Sequence, residues 1–331
     1  MDYINYVKEY PVQGLTGLWG GTQGALQQGA ADAGVNFGDR GIYYCGQVPA
    51  GATNKIDYFT ISTTGNASDF GDANKTTSRT KGGGSLTRGL KGGGNPYANT
   101  IEYITYASTG NGTNFGNLTY DRDYVTSGGN GTRQLFIGGA NPSEVATIDY
   151  LTIATTGNAT DFGDDSYANR SAGGAGNSTR VLRMGGYGNP GAGTGDQSSI
   201  TYFTAMSPGN ASNFGNLTGQ ASYTGSSYNE TRAMRHGGYS PSRTNIIDYV
   251  DFMTTGNATD QGDLLSVWRY SSGASNGPRA VNIGGDNGQG GAGYYNDTIQ
   301  YWSMDSTGQA QDFGNLTTGR NGGAGMSGNA S

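Results

Sequence analysis

The chain has 331 residues, of which 62 are Gly and 33% are hydrophobic, together with 23 Tyr and 10 Phe. Its formal charge of -6, with Lys and Arg scattered rather than clustered, argues against a nucleic-acid partner, because phosphate contacts need concentrated positive charge. Cys45 is the only cysteine, so an intrachain disulfide and a cysteine-based zinc site are excluded, and no run of 18 apolar residues is present to insert into a membrane.

Residues 1–38 come first and are unlike everything after them. They lack a basic segment followed by an apolar one, so no secretory signal is expected. In "YPVQGLTGLWGGTQGALQQGAADAG" Leu15, Leu18 and Trp19 stand amid Gly and Ala, too few to bury a core alone. An arm that orders against another subunit is expected, with those three as anchoring residues; a flexible leader is the alternative.

Residues 39–331 are built from a repeat. A strand-like segment opens on Arg40, Arg88, Arg133, Arg180, Arg232 and Arg279 and usually closes on Gly-Gly, as in "RQLFIGG". An Ile-x-Tyr segment follows at Ile56, Ile101, Ile148, Ile200, Ile247 and Ile299, at intervals of 45 to 52 residues. After it comes "TGNATDFGD" (156–164) or a close variant, and then a small-residue segment such as "NRSAGGAG" (169–176). β-Branched and aromatic residues in short runs bounded by turn formers predict four strands per unit, and the Gly density disfavours helix. Four strands in about 47 residues, repeated six times, predict an all-β, six-bladed β-propeller of four-stranded blades. The pattern begins at Arg40 on a second strand and ends at "GRNGGAGMSG" (319–328) on an unmatched first strand. The C-terminal strand is therefore expected to complete the N-terminal blade and remove an open sheet edge.

Arg-start strands ending in Gly-Gly and followed by Ile-x-Tyr resemble Kelch-type propeller repeats. The wording "IDYLTIATTGNATDFGD" is similar to repeats of virion and tail-fibre-like proteins of marine bacteriophages, including those of cyanobacteria. The resemblance covers about residues 40–328 and departs from the pattern at Cys45, in place of the first Gly, and at Gln261, in place of Phe. It implies a structural or host-recognition component of a virion, made in the host cytoplasm and exposed on the extracellular particle.

Asp-Phe-Gly in "TTGNATDFGD" is also the magnesium-holding triplet of protein kinases, but it returns at 69–71 and 312–314 without a kinase's lysine strand or His-Arg-Asp loop. Asp161 is therefore expected to be a turn residue, with Gly supplying positive φ and Phe plugging between blades. The Asn-x-Ser/Thr sites at Asn66, Asn111, Asn158, Asn210 and Asn257 fall on one repeated position and are read as turn chemistry rather than glycosylation. His236, the sole histidine, falls where other units carry mostly apolar residues and is read as packing. Neither a nucleophile–base arrangement nor a paired-carboxylate one stands out, so a non-enzymatic chain without cofactor or metal is expected. Arg79, Arg122, Arg170, Arg269 and Arg320 are read into five of the six first strands. They are expected either to pair with the strand-three acids Asp57, Glu102, Asp149 and Asp248 and with loop carbonyls, or to line a funnel contacting an anionic glycan. The expected function is a tail- or fibre-associated virion component, joined to other virion proteins through the arm and attaching to a host surface glycan. A soluble or capsid-decorating lectin is the alternative.

Overall fold

The computed structural model describes residues 37–191, 194–288 and 294–330, and they form six blades of antiparallel strands arranged as a ring. Blade one joins β1 (Arg40–Val48), β2 (Gly51–Thr60) and β3 (Ser68–Thr77). Blade two is β4 (Lys81–Gly84), β5 (Arg88–Gly92), β6 (Ala98–Thr105) and β7 (Thr113–Arg122). Blade three is β8 (Thr126–Gly129), β9 (Arg133–Ile137), β10 (Val145–Thr152) and β11 (Thr160–Arg170). Blade four holds β12 (Gly173–Gly176) and β13 (Arg180–Met184), then lends the short pair β14 (Tyr187–Gly188) and β15 (Gly195–Asp196) to the outer edge of blade three. It resumes with β16 (Ser199–Thr204) and β17 (Ser212–Asn216). Blade five is β18 (Gly225–Tyr228), β19 (Arg232–His236), β20 (Thr244–Asp251) and β21 (Thr259–Trp268). Blade six is β22 (Ser272–Ser275), β23 (Arg279–Gly285), β24 (Asn296–Ser303) and β25 (Gln311–Asn315).

The last strand, β26 (Ala324–Gly328), pairs with β1 from Arg40↔Gly328 to Tyr44↔Ala324 and becomes the inner strand of blade one. The closure expected from the repeat is thus present, and it covers the edge of β1 that would otherwise offer unpaired amides and carbonyls.

Alternation along each third strand explains why the ring needs no single central core. In β10, Ile148 and Tyr150 look toward blade four, where Ile148 packs with Val181 and Phe203. Leu151 looks the other way and packs with Phe115 and Leu118 of blade two. Each of the apolar clusters among the described residues joins two neighbouring blades in this manner. At the centre the inner strands approach so closely that a Cβ on Gly174 would lie 2.1 Å from the Ser127 carbonyl oxygen. Glycine is required there by space.

The Gly-Gly pairs close the second strands with a left-handed residue followed by a second positive φ, for example Gly138 at 59° and Gly139 at 106°. Cys45 takes the left-handed place in blade one with φ 61°, at a bulge between Tyr44 and Gly46.

The ring has two ends. Arg40 and Gly328 lie together at one of them, while Gln47 bridges to Asn321 at the other. The first end carries the arginines that open every second strand and is termed the arginine face. The second carries the connections between blades and is termed the tyrosine face.

Candidate functional site

The repeated letters are accounted for on the arginine face. Each opening arginine lies over the tyrosine of its own Ile-x-Tyr strand, from Arg40 over Tyr58 at 5.0 Å to Arg279 over Tyr301 at 4.3 Å. Its guanidinium also donates to a carbonyl of the next blade: Arg88 to Ile153, Arg180 to Phe252, Arg232 to Met304, and Arg279 back to Ile61, at 2.7 to 3.1 Å. In every blade but the fifth the same tyrosine meets the motif phenylalanine edge-on, as Tyr150 meets Phe162 at 5.7 Å. Arg, Tyr and Phe are therefore one continuous stack, recurring around the ring.

Asp161 is not a turn residue. It lies in β11 opposite Asp149, at a bulge whose extra residue is Phe162. The bulge turns Phe162 inward and leaves Gly163 (φ 140°) against the backbone of Gly209 in the next blade. There Gly209 and Ala211 donate to the Phe162 and Asp164 carbonyls, and Asn210 Oδ1 accepts from the Asp164 amide at 3.0 Å. Asn66, Asn111, Asn158 and Asn257 make the same side-chain contact at their own interfaces. The sequon-like letters are thus inter-blade clasps. Gln261, which replaces Phe, is buried and donates to the Ser303 and Ser306 carbonyls instead.

Deeper between the blades lie buried ion pairs whose charges come from different places at different interfaces. Asp57 meets Arg320 at 3.2 Å and Asp149 meets Arg122 at 2.9 Å, Arg320 arriving from the connection that precedes its blade and Arg122 from the last position of β7. In those two blades the second strand offers Tyr43 and Phe136 opposite the acid, and no base. Elsewhere the second strand supplies the base: Lys91 for Glu102 and Arg235 for Asp248. Blade four has Thr201 in the acid position, and its Arg183 reaches Asp165 on the outer strand of blade three at 2.9 Å. Blade six carries no charge there, only Asn282 opposite Gln300.

These pairs separate the five arginines that the sequence groups together. They do not occupy first strands; they lie at or after the ends of outer strands, in the connections to the next blade, and at three different offsets. Arg122 and Arg320 are fully buried in the pairs just described. Arg79, Arg170 and Arg269 reach the tyrosine face, where they pair with Asp123, Glu144 and Asp286. Leu15, Leu18 and Trp19 lie outside the described residues.

The centre of the tyrosine face is the candidate site. One residue before each inner strand adopts a left-handed conformation: Arg79, Tyr124, Ser171, Tyr223, Tyr270 and Gly322, with φ from 54° to 63°. Their backbones form a hydrogen-bonded ring around the channel mouth, from Tyr124 N to Arg79 O (2.9 Å) through Ser171, Tyr223 and Tyr270 to Gly322 N (2.8 Å). Thr80 N closes it onto Gly322 O at 3.3 Å. Three tyrosine rings stand together on this frame, Tyr223 and Tyr270 with centroids 4.5 Å apart and Tyr124 5.7 and 6.2 Å from them. The guanidinium of Arg79 covers Tyr124 at 4.8 Å and that of Arg269 covers Tyr270 at 5.0 Å. Burial raises the tyrosine hydroxyl pKa values, that of Tyr223 to about 12, so all three remain neutral near pH 7. The ring lines a shallow, open depression together with Thr80, Lys81 and Val125. Below it Lys81 donates to the Thr224 and Ser271 carbonyls, its pKa lowered by burial to about 8.

A second constellation looks chemical but is sealed. Ser227 Oγ lies 3.2 Å from His236 Nε2, and His236 Nδ1 lies 3.0 Å from Asn282 Oδ1. Ser227 and His236 are at most 1% exposed, and Trp302 packs on the imidazole at 5.0 Å. Burial, then the nearby Lys81 charge, lowers the His236 pKa to about 3. Among the described residues, no group of three or more His, Cys, Asp or Glu side chains could hold a metal ion.

Comparison of the chain with protein-family models gave no match, and comparison with curated proteins gave none either.

Proposed function

We propose that the chain is a non-enzymatic propeller component of a bacteriophage particle, associated with its tail or fibres, that turns its tyrosine face toward the host surface. The observation that carries this reading is the division of labour between the two ends of the ring. Side chains that recur in every repeat are consumed in joining blades on the arginine face, whereas irregular aromatic and charged side chains gather around the channel mouth at the other end. A closed ring that satisfies itself and leaves one chemically distinct end open is suited to display and recognition. The phage-like wording of the repeat supplies the setting. Residues 1–38 are the proposed joint to other particle proteins.

Mass spectrometry of purified particles, separated into tails and capsids, tests the setting. The chain is expected in the tail fraction, and Leu18→Ala with Trp19→Ala is expected to release it while the ring stays folded. Its absence from both fractions would overturn the reading. One observation favours a free lectin as second reading: the tyrosine site is completed within a single chain, so recognition needs no neighbouring subunit. Recovery of a sugar-binding chain only in the particle-free fraction would select it.

A further inference from the structure

We infer that the tyrosine ring at the channel mouth binds a neutral glycan, with pyranose rings laid on Tyr124, Tyr223 and Tyr270. The inference rests on the recognition role proposed for this face and names the ligand class.

The first argument is conformational. A left-handed residue at each of these positions is best supplied by glycine, as Gly322 does in the same backbone ring. Putting tyrosine there three times works against the backbone preference, and strain of this kind concentrates at functional positions. The tyrosines are not fully enclosed in exchange, since all three remain partly exposed. They stand together lining one depression at the end of the ring.

The second argument is electrostatic. Arg79, Arg170, Arg243 and Arg269 face this end of the ring, and so do Asp123, Glu144, Asp196 and Asp286. Four positive groups meet four negative ones, and every one of the arginines is within 3.3 Å of a carboxylate. Lys81 is directed at carbonyls beneath the rings. The arginines of the mouth are therefore matched by carboxylates, and Lys81, left without one, is held beneath the rings against carbonyls rather than presented to an anionic ligand. Paired guanidinium and carboxylate groups beside aromatic faces suit hydroxyl-rich, uncharged ligands: the rings take the C–H face of a sugar, and the pairs offer donors and acceptors to its rim. The depression is shallow and open, so a sugar would lie on the tyrosine rings rather than sink between them.

The test uses the full chain against neutral gluco-, manno- and galacto-oligosaccharides and a sulfated galactan, by calorimetric titration at about 0.1 M and about 1 M salt. Screening lengths fall from roughly 10 to 3 Å across that range. At least one neutral sugar is expected to bind with affinity that salt changes less than about twofold. Tyr223→Gly and Tyr270→Gly are each expected to weaken it by about tenfold or more, a difference of roughly 1.4 kcal/mol. Glycine suits the left-handed backbone, so these variants should fold; unchanged melting temperatures would verify it. Binding confined to the sulfated polymer and lost at high salt would overturn the inference, as would no binding to any neutral sugar at millimolar concentration. Neutral-sugar binding that survives both substitutions would also overturn it by placing the site elsewhere. Failure here leaves the particle inventory intact, and absence from particles leaves the sugar titration intact, so the two readings fall separately.

Discussion

The arginine face and the tyrosine face belong to the same six blades, yet they use the same chemistry for opposite ends. On the first, each arginine lies over a tyrosine and donates to a carbonyl of the following blade, so it acts as a joint between blades. On the second, arginine again lies on tyrosine, but its other partner is a carboxylate at the rim and the ring cluster stays accessible. Regularity marks assembly and irregularity marks the surface available to something else. A repeat protein can change the second without disturbing the first.

Removing residues 319–331 should break both faces at once, and it carries the largest expected effect. It takes away β26, the Gly322 link of the backbone ring and the Arg320 partner of buried Asp57. Loss of cooperative unfolding and concentration-dependent aggregation are expected by circular dichroism and light scattering. A monodisperse truncated chain with full-length melting behaviour would show that closure adds nothing.

His236 belongs to neither face and sharpens the boundary between them. Its folded pKa of about 3 lies below the ordinary 6.5, so the unfolded chain takes up the proton first as pH falls. Stability should decline from about pH 6.5 downward by about 1.4 kcal/mol per unit, reaching roughly 3 kcal/mol at about pH 4.5. His236→Met copies the residue at this register in blade four, Met184, and should remove that part of the decline. Denaturant midpoints of both proteins at the two pH extremes measure the difference; equal slopes would refute it.

The smallest effects give the cleanest contrast. Arg180→Ala should cost about 1–2 kcal/mol of stability through its lost tyrosine contact and carbonyl bond, with sugar binding unchanged. Tyr223→Gly should shift stability by less than about 1 kcal/mol, since lost ring packing and relieved backbone strain oppose each other, while binding falls. Reversal of that pattern in chemical denaturation and titration would erase the distinction between the faces.

The ring, its six blades and the position of its closing strand were legible because Arg, Ile-x-Tyr and Phe-Gly recur at a fixed order. The roles of single letters were less so. Asp161 reads as a turn residue from its neighbours Asn and Gly, whereas a bulge keeps it in the strand, and bulges depend on the partner's register. Arg79, Arg122 and Arg269 look equivalent because each precedes a small-residue stretch. A shift of one or two residues sends Arg122 into the interior and leaves the others at the rim. Tyr124, Tyr223 and Tyr270 went unnoticed for a related reason: they share a backbone conformation that non-glycine residues do not advertise, in the least regular part of the repeat.

Near-identical blades raise the hazard of mistaken identity during folding, when one wedge could dock in the place of another. The uneven placement of buried charge works against that error. Among the described residues, three boundaries carry an ion pair with both side chains fully buried that crosses from one blade or its exit to the next: Arg320 with Asp57, Arg122 with Asp149, and Asp165 with Arg183. At the other three the deeply buried pair stays within one blade, or neutral amides take its place. A blade docked beside the wrong neighbour would strand an ionised group away from water, a penalty of several kcal/mol that correct order avoids. The permuted charges act as an address for each blade, so that six similar parts have one sequence in which they fit.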